Sequence, residues 1–324
     1  MNLGGKRKKR SIGADNVLCL LKQILLYSRT KGIDREAMGV EFRNYNKEDY
    51  DALCRFFVEC NIDKTYINWN WARFEWMMFH AEFDEMAIES IGLWCEENRV
   101  AAAAVYDMYF GEAFCGTLPG YEYLYIETVG YAQECLGDES GLGIAVCDKD
   151  EEKLKTVQSM GMNYSTQDEN IMVLNLDKDY SYSLPEEMSV CSFEPAEESN
   201  EYEWLMWQGF DHGNDRSEFE EANRKCASRP HLKTDLCIAV KNSRGEIVSH
   251  ACIWYDTETD YAYVEPVFTL PDYRGMGLAK AAVYEGVNRA RALGASEAYV
   301  ISNQDFYTKL GFENKKHYTF WWTV

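Results

Sequence analysis

The sequence has no CxxC pair, no HExxH segment and no Cys/His cluster, and its eleven cysteines are odd in number and scattered singly. That excludes a disulfide framework and a zinc site by spacing, and leaves the cysteines as small apolar core residues in a reducing, cytoplasmic compartment. The five histidines, His80, His212, His231, His250 and His317, lie far apart, so no metal is expected. No apolar run approaches the ~20 residues needed to span a bilayer, which argues against stable membrane insertion. Basic residues are scarce, 33 Lys and Arg against 54 Asp and Glu, for a net charge of −21. Such a chain repels nucleic acid and anionic lipid and attracts a cationic substrate.

What is present is enough apolar material for packed cores, 46% hydrophobic and 14% aromatic, in a chain of 324 residues. That length favours two domains over one. The start is basic at Lys6, Arg7, Lys8, Lys9 and Arg10. In the following segment, 17–26, Val17, Leu20, Leu21, Ile24 and Leu25 fall on one helical face. Lys22 and Gln23 interrupt this run and no small-residue cleavage site follows, so an amphipathic helix docked on the body is favoured over a signal peptide, with a membrane-surface anchor as the alternative. Polar residues and Pro185 break the apolar pattern between Asp177 and Glu187. The expected organisation is an extension over 1–39, a first domain over 40–180 and a second over 186–324.

Similar patterns recur in the same order in both halves. Each has a short strand and a helix (40–43 and 47–59; 190–193 and 197–207), then a hairpin about a polar turn (92–95 with 100–106; 236–240 with 247–255). Next come 123–129 and 261–267, both alternating Tyr and Glu as a half-buried strand does. Each half closes with a helix ended by glycine, Gly161 or Gly311, and a last strand, 171–176 or 318–323.

The most informative stretch runs from Val264 to Lys280. A strand enters a tight loop containing Gly275 and Gly277, and the loop opens a helix whose Leu278, Ala281, Ala282, Val287, Ala290 and Leu293 fall mostly on one side, with Gly294 as its stop. Unpaired N–H groups at a helix start, reinforced by the helix dipole, make an anion site. The two glycines permit close approach and Arg274 can add a charge-assisted contact. A Walker loop would need Gly-Lys-Ser/Thr, and the dinucleotide fingerprint would need Gly or Ala where Lys280 stands. In the first half no arginine follows Val129, and Glu134, Asp138 and Glu139 would repel an anion there; Gly141-Leu142-Gly143 reads as a turn.

Arg274-Gly275-Met276-Gly277-Leu278-Ala279 resembles the Arg/Gln-x-x-Gly-x-Gly/Ala signature of the GCN5-related N-acetyltransferase superfamily. The preceding strand-to-loop stretch from Glu265 to Tyr273 and the segment from Phe306 to Phe312 resemble two further family stretches in the right order. The likeness covers about 189–324 well and the first half only in outline, as in a tandem form with a degenerate first domain. It implies an α/β (α+β) fold of two acetyltransferase-type domains, each a mixed, mostly antiparallel sheet flanked by helices. It further implies that the backbone of Val267, Phe268 and Thr269 binds the acetyl and pantetheine part of acetyl-CoA and that the loop of Arg274, Gly275, Met276, Gly277, Leu278, Ala279 and Lys280 holds its pyrophosphate. Asn303 is a further candidate for CoA contact.

Transfer to an amine requires a neutral nitrogen, hence a base, for which Glu265 beside the acetyl-binding strand is the candidate. Tyr307 stands where the family places a donor to the departing thiolate. The expected activity is direct acetyl transfer from acetyl-CoA to a small cationic amine, without a covalent enzyme intermediate. The rival readings are a non-catalytic acyl-CoA-binding or sensing module, and a first half that recruits a macromolecule; a homodimer is compatible with any of them. Trp69, Trp71, Trp76, Trp94, Trp204 and Trp207 could line a pocket for a cation but read more readily as core.

Overall fold

The computed structural model describes residues 39–78, 85–107, 109–193, 200–222 and 230–323. The basic stretch and the expected helix at 17–26 lie outside them. In chain order the elements of the first part are β1 (Val40–Asn44), α1 (Tyr50–Glu59), α2 (Trp71–Met78), β2 (Gly92–Glu96), β3 (Arg99–Asp107), β4 (Tyr109–Thr117), α3 (Tyr125–Cys135), β5 (Gly143–Cys147), α4 (Glu151–Ser159) and β6 (Asn163–Asn175). There follow β7 (Ser189–Ser192), α5 (Glu201–Gly209), α6 (Arg216–Ala222), β8 (Cys237–Lys241), β9 (Ile247–Tyr255), β10 (Tyr261–Thr269), α7 (Leu278–Leu293), β11 (Glu297–Ile301), α8 (Asp305–Lys309) and β12 (Glu313–Trp322). None of the described helices is long and apolar enough to cross a membrane.

The described elements form two compact units, the first drawn from 39–71, 85–107, 109–169 and 316–323, the second from 72–78, 170–193, 200–222 and 230–315. In the first unit β1, β2, β3 and β4 are joined antiparallel, β5 pairs parallel with β4 through Glu112↔Gly143 and Ala113↔Ile144, and β12 pairs antiparallel with β5 from Tyr318↔Cys147 to Trp322↔Gly143. In the second, β7, β8, β9 and β10 are antiparallel, β11 lies parallel to β10, and β6 pairs antiparallel with β11 from Ile171↔Ile301 to Asn175↔Glu297. Both closing strands expected from the sequence therefore exist, but the one from the first half completes the second unit and the one from the end of the chain completes the first.

One expected strand is a helix. Residues 123–129 fall in the turn before α3 and in α3 itself, where Leu124, Tyr125, Thr128, Val129, Tyr131 and Ala132 are buried. Spacings of three, four and seven place these residues on one helical side, and they outweigh the Tyr/Glu alternation. The strand at this place in the order is β4.

The core of the second unit forms between α7 and the sheet face carrying Ile238, Ala251, Ile253, Ala262, Val264, Ala298 and Val300. Small residues bring the helix close: a Cβ on Gly286 would lie 2.4 Å from Ile253 Cγ1. Leu293, expected on the buried side, is 50% exposed, because the helix ends immediately after it at Gly294 (φ +119°). The segment after β6 docks along the same helix, with the Asn288 side chain exchanging hydrogen bonds with the backbone N–H (2.8 Å) and C=O (2.9 Å) of Tyr180. In the first unit Trp69 stacks on Phe57 and fully buried Trp94 donates to Glu127 (3.0 Å). Trp71 and Trp76 are buried as well, so these four tryptophans are core. Trp204 and Trp207 both pack on Phe219.

Candidate active site

The site begins with an irregularity in β10. Its register with β9 shifts between Val264 and Val267, so one extra residue on β10 kinks the strand there. Its parallel pairing with β11 stops at Tyr263↔Tyr299. Beyond the kink, Val267, Phe268 and Thr269 keep β9 as a partner along one edge, opposite Ala251, His250 and Ser249. No strand pairs with their other edge among the described residues, and backbone polar groups on such an edge need an outside partner.

The chain then turns through Pro271–Tyr273 and enters α7 by way of Gly275 (φ +78°) and Gly277 (φ +79°). Both conformations are left-handed and suit glycine, and a Cβ at either position would meet no atom within 4 Å. The sixteen-residue α7 therefore presents its N-terminus, with its unpaired N–H groups and dipole, to open space. A cleft of about 620 Å³ runs from this loop to the strand edge. It is lined by Val267, Phe268, Thr269, Arg274, Gly275, Gly277, Leu278, Ala279, Lys280 and Tyr307, all expected from the sequence. Met276, 41% exposed, is outside the lining.

Two expected residues stand elsewhere. Asn303 accepts a hydrogen bond from Asn170 and lines a separate groove, while its neighbour Gln304 reaches the cleft. Glu265 falls at the kink, outside the cleft lining; its carboxylate accepts a hydrogen bond from the Tyr263 hydroxyl, and its backbone C=O accepts one from Trp254 Nε1–H at 2.6 Å. Its charge nevertheless bears on Tyr307, whose hydroxyl pKa is raised first by burial and then by Glu265. Tyr307 thus keeps its proton near neutrality and can serve as a donor.

The sequence reading missed the opposite wall. Gly209, Phe210 and Asp211, at and just beyond the end of α5, line the cleft. Gly209 was the available signal, since its missing side chain allows the helix end to meet β10: a Cβ there would lie 2.7 Å from that of Phe268.

In the first unit, side chains meet near the start of α3, the helix that follows β4 as α7 follows β10. Lys153 lies three residues after the helix cap Asp150, as Tyr307 lies three after Gln304. Its Nζ is hydrogen-bonded to Asp150 and sits 4.3 Å from the Tyr66 ring centroid and 5.6 Å from that of Tyr125, the first residue of α3. The N–H of Thr117, which ends β4, donates to the Tyr66 hydroxyl (3.2 Å). Ahead of α3, the Gly120 N–H is bound by both carboxylate oxygens of Glu122 (3.0 Å each). An internal carboxylate thus takes a donor that precedes the helix, where an anion would otherwise bind.

Residues 198–312 match the model of the acetyltransferase (GNAT) family. Three solved structures share the fold over most of both chains. They are a tandem GNAT protein from the clavulanic acid biosynthesis pathway (TM-score 0.56, 13% identity, 87% of this chain and 97% of that one), a GCN5-related N-acetyltransferase from Sphaerobacter thermophilus (0.52, 15%, 89% and 95%) and a GNAT-family acetyltransferase from Colwellia psychrerythraea (0.51, 14%, 87% and 98%). No curated protein matches the chain in sequence. The protein thus has the tandem acetyltransferase fold.

Proposed function

We propose that the second unit transfers acetyl from acetyl-CoA directly to the nitrogen of a small cationic amine. The observation that carries this reading is one cleft in which an unpaired strand edge, two left-handed glycines at a helix start and Tyr307 come together. The residues fit the cosubstrate by shape and by donor set. The one-sided edge of Val267, Phe268 and Thr269 offers backbone hydrogen bonds to an extended amide chain such as pantetheine, and the N–H groups from Gly275 to Lys280 with the α7 dipole suit a pyrophosphate. The thioester supplies an activated acyl group.

Glu265 takes a proton from the ammonium form of the acceptor, directly or through water. The freed nitrogen forms a bond to the acetyl carbon as the carbon–sulfur bond breaks, the Tyr307 O–H stabilises the negative charge arriving on sulfur, and the second proton shed by the nitrogen ends on that sulfur, leaving the amide and free CoA thiol. The net charge of −21 favours a cationic acceptor. Incubating the protein with acetyl-CoA and a panel of simple amines, polyamines, aminoglycosides and peptide N-termini, with free thiol as readout, tests the proposal. Amine-dependent thiol release is expected. Tight acetyl-CoA binding with no release for any acceptor would instead assign the cleft to acyl-CoA sensing.

A further inference from the structure

Arg274, the first residue of the signature, does not direct its guanidinium to the open side of the loop. Its Nε–H donates to the backbone C=O of Thr269 (3.1 Å), one terminal nitrogen to the C=O of Gly209 (2.8 Å) and the other to the Asp211 carboxylate (2.9 Å). These acceptors belong to the end of β10 and to Gly209, which ends α5, with Asp211 two residues beyond it, on facing walls of the cleft. Asp211 meets the arginine from a left-handed conformation (φ +65°), which costs a non-glycine residue about 1 kcal/mol. At Gly209 the same helix end already touches Phe268.

We propose that Arg274 is a positioning residue that clasps the end of α5 to the end of β10 and so sets the width of the cleft at Val267, Phe268 and Thr269, leaving the pyrophosphate to backbone N–H groups and Lys280. This rests on the acetyl-CoA reading above. All three nitrogens of the fork are engaged with protein oxygens, and a fork spanning three separated acceptors is a geometry that lysine cannot reproduce. Charge is thus the lesser part of what Arg274 contributes, for Asp211 already lies against it.

The test compares acetyl-CoA with S-acetylpantetheine, which lacks the phosphates, on the full chain carrying Arg274→Lys, Arg274→Ala or Asp211→Asn, with thermal unfolding recorded for each. The clasp predicts that Arg274→Lys and Arg274→Ala weaken both donors by a similar factor, about tenfold or more, the worth of a charge-assisted hydrogen bond. It also predicts that Asp211→Asn, which removes one arm of the clasp, weakens both donors by the same small factor, about two- to threefold, as expected for an exposed ion pair. An arginine acting as phosphate ligand would give the reverse: Arg274→Lys retains acetyl-CoA affinity, S-acetylpantetheine is indifferent to either change, and Asp211→Asn tightens acetyl-CoA by freeing the guanidinium. Any of those three results overturns the proposal. Should Arg274→Lys fail to fold, Asp211→Asn still decides. Failure of the unaltered protein to bind acetyl-CoA would overturn the cofactor reading instead.

Discussion

Gly277→Glu separates backbone strain from charge at the helix start. Gly277 has φ +79°, and a Cβ there projects into open space, so a side chain is accommodated sterically but holds a left-handed conformation. That strain costs about 1–2 kcal/mol. It is present with and without ligand, so it lowers stability and leaves affinity alone. The carboxylate adds a second effect. Placed about 5 Å from a phosphate charge in surroundings of effective dielectric about 20, it costs about 3 kcal/mol, more than a hundredfold in Kd. Gly277→Ala carries the strain without the charge. Calorimetry with acetyl-CoA, alongside thermal unfolding, should find both variants less stable than wild type, the alanine variant within about tenfold of wild-type affinity, and the glutamate variant without measurable binding. Wild-type affinity in Gly277→Glu would refute the assignment of the loop.

Three further predictions concern chemistry and stability. Tyr307→Phe should lower turnover with acetyl-CoA affinity nearly unchanged, since its hydroxyl acts only as charge develops on sulfur; steady-state kinetics paired with direct binding checks this. Glu265→Gln should lower turnover most at neutral pH and recover in part at high pH, where more amine is already neutral, and equal losses across the pH profile would reject Glu265 as the base. His317, on β12 in the first unit, faces Asp168 through Nε2 (3.0 Å) and Asp148 through Nδ1 (2.5 Å), and these two bonds raise its pKa above the usual 6.5. The charged ring donates to both carboxylates, so its stabilisation is complete below pH 6.5 and fades as pH rises through the folded-state pKa. The stability difference between wild type and His317→Gln should be largest in mild acid, about 1 kcal/mol or less because the ring is part-exposed, and should shrink in alkali.

Much of the second unit was legible because local rules coincide there. The strand, the glycine turn, the apolar face of α7 and the stop at Gly294 each carry a separate signal within about thirty residues. The hairpins β2–β3 and β8–β9 were equally readable from alternation about a polar turn. The exchange of last strands was not, because alternation in β6 and β12 says which face of a strand is buried and nothing about which neighbour it pairs with. At 123–129 two periodicities competed, and the helical burial decided. Asn303 lines a separate groove, and the short turn into α8 brings its neighbour Gln304 to the cleft, a difference of one position that no local pattern fixes. The direction of the Arg274 side chain depends on the Gly209 carbonyl, sixty-five residues away, which no local pattern reports.

Under the proposed function the cleft of the second unit holds the one cosubstrate of the chain, and the first unit, with Lys153 against Tyr66 and Tyr125 and with Glu122 on the Gly120 N–H, binds none. Titration calorimetry of the full chain with a non-hydrolysable acetyl-CoA analogue tests it most directly. The predicted result is a single binding isotherm with one analogue per chain; two equivalent sites per chain, or no binding at all, would contradict the account.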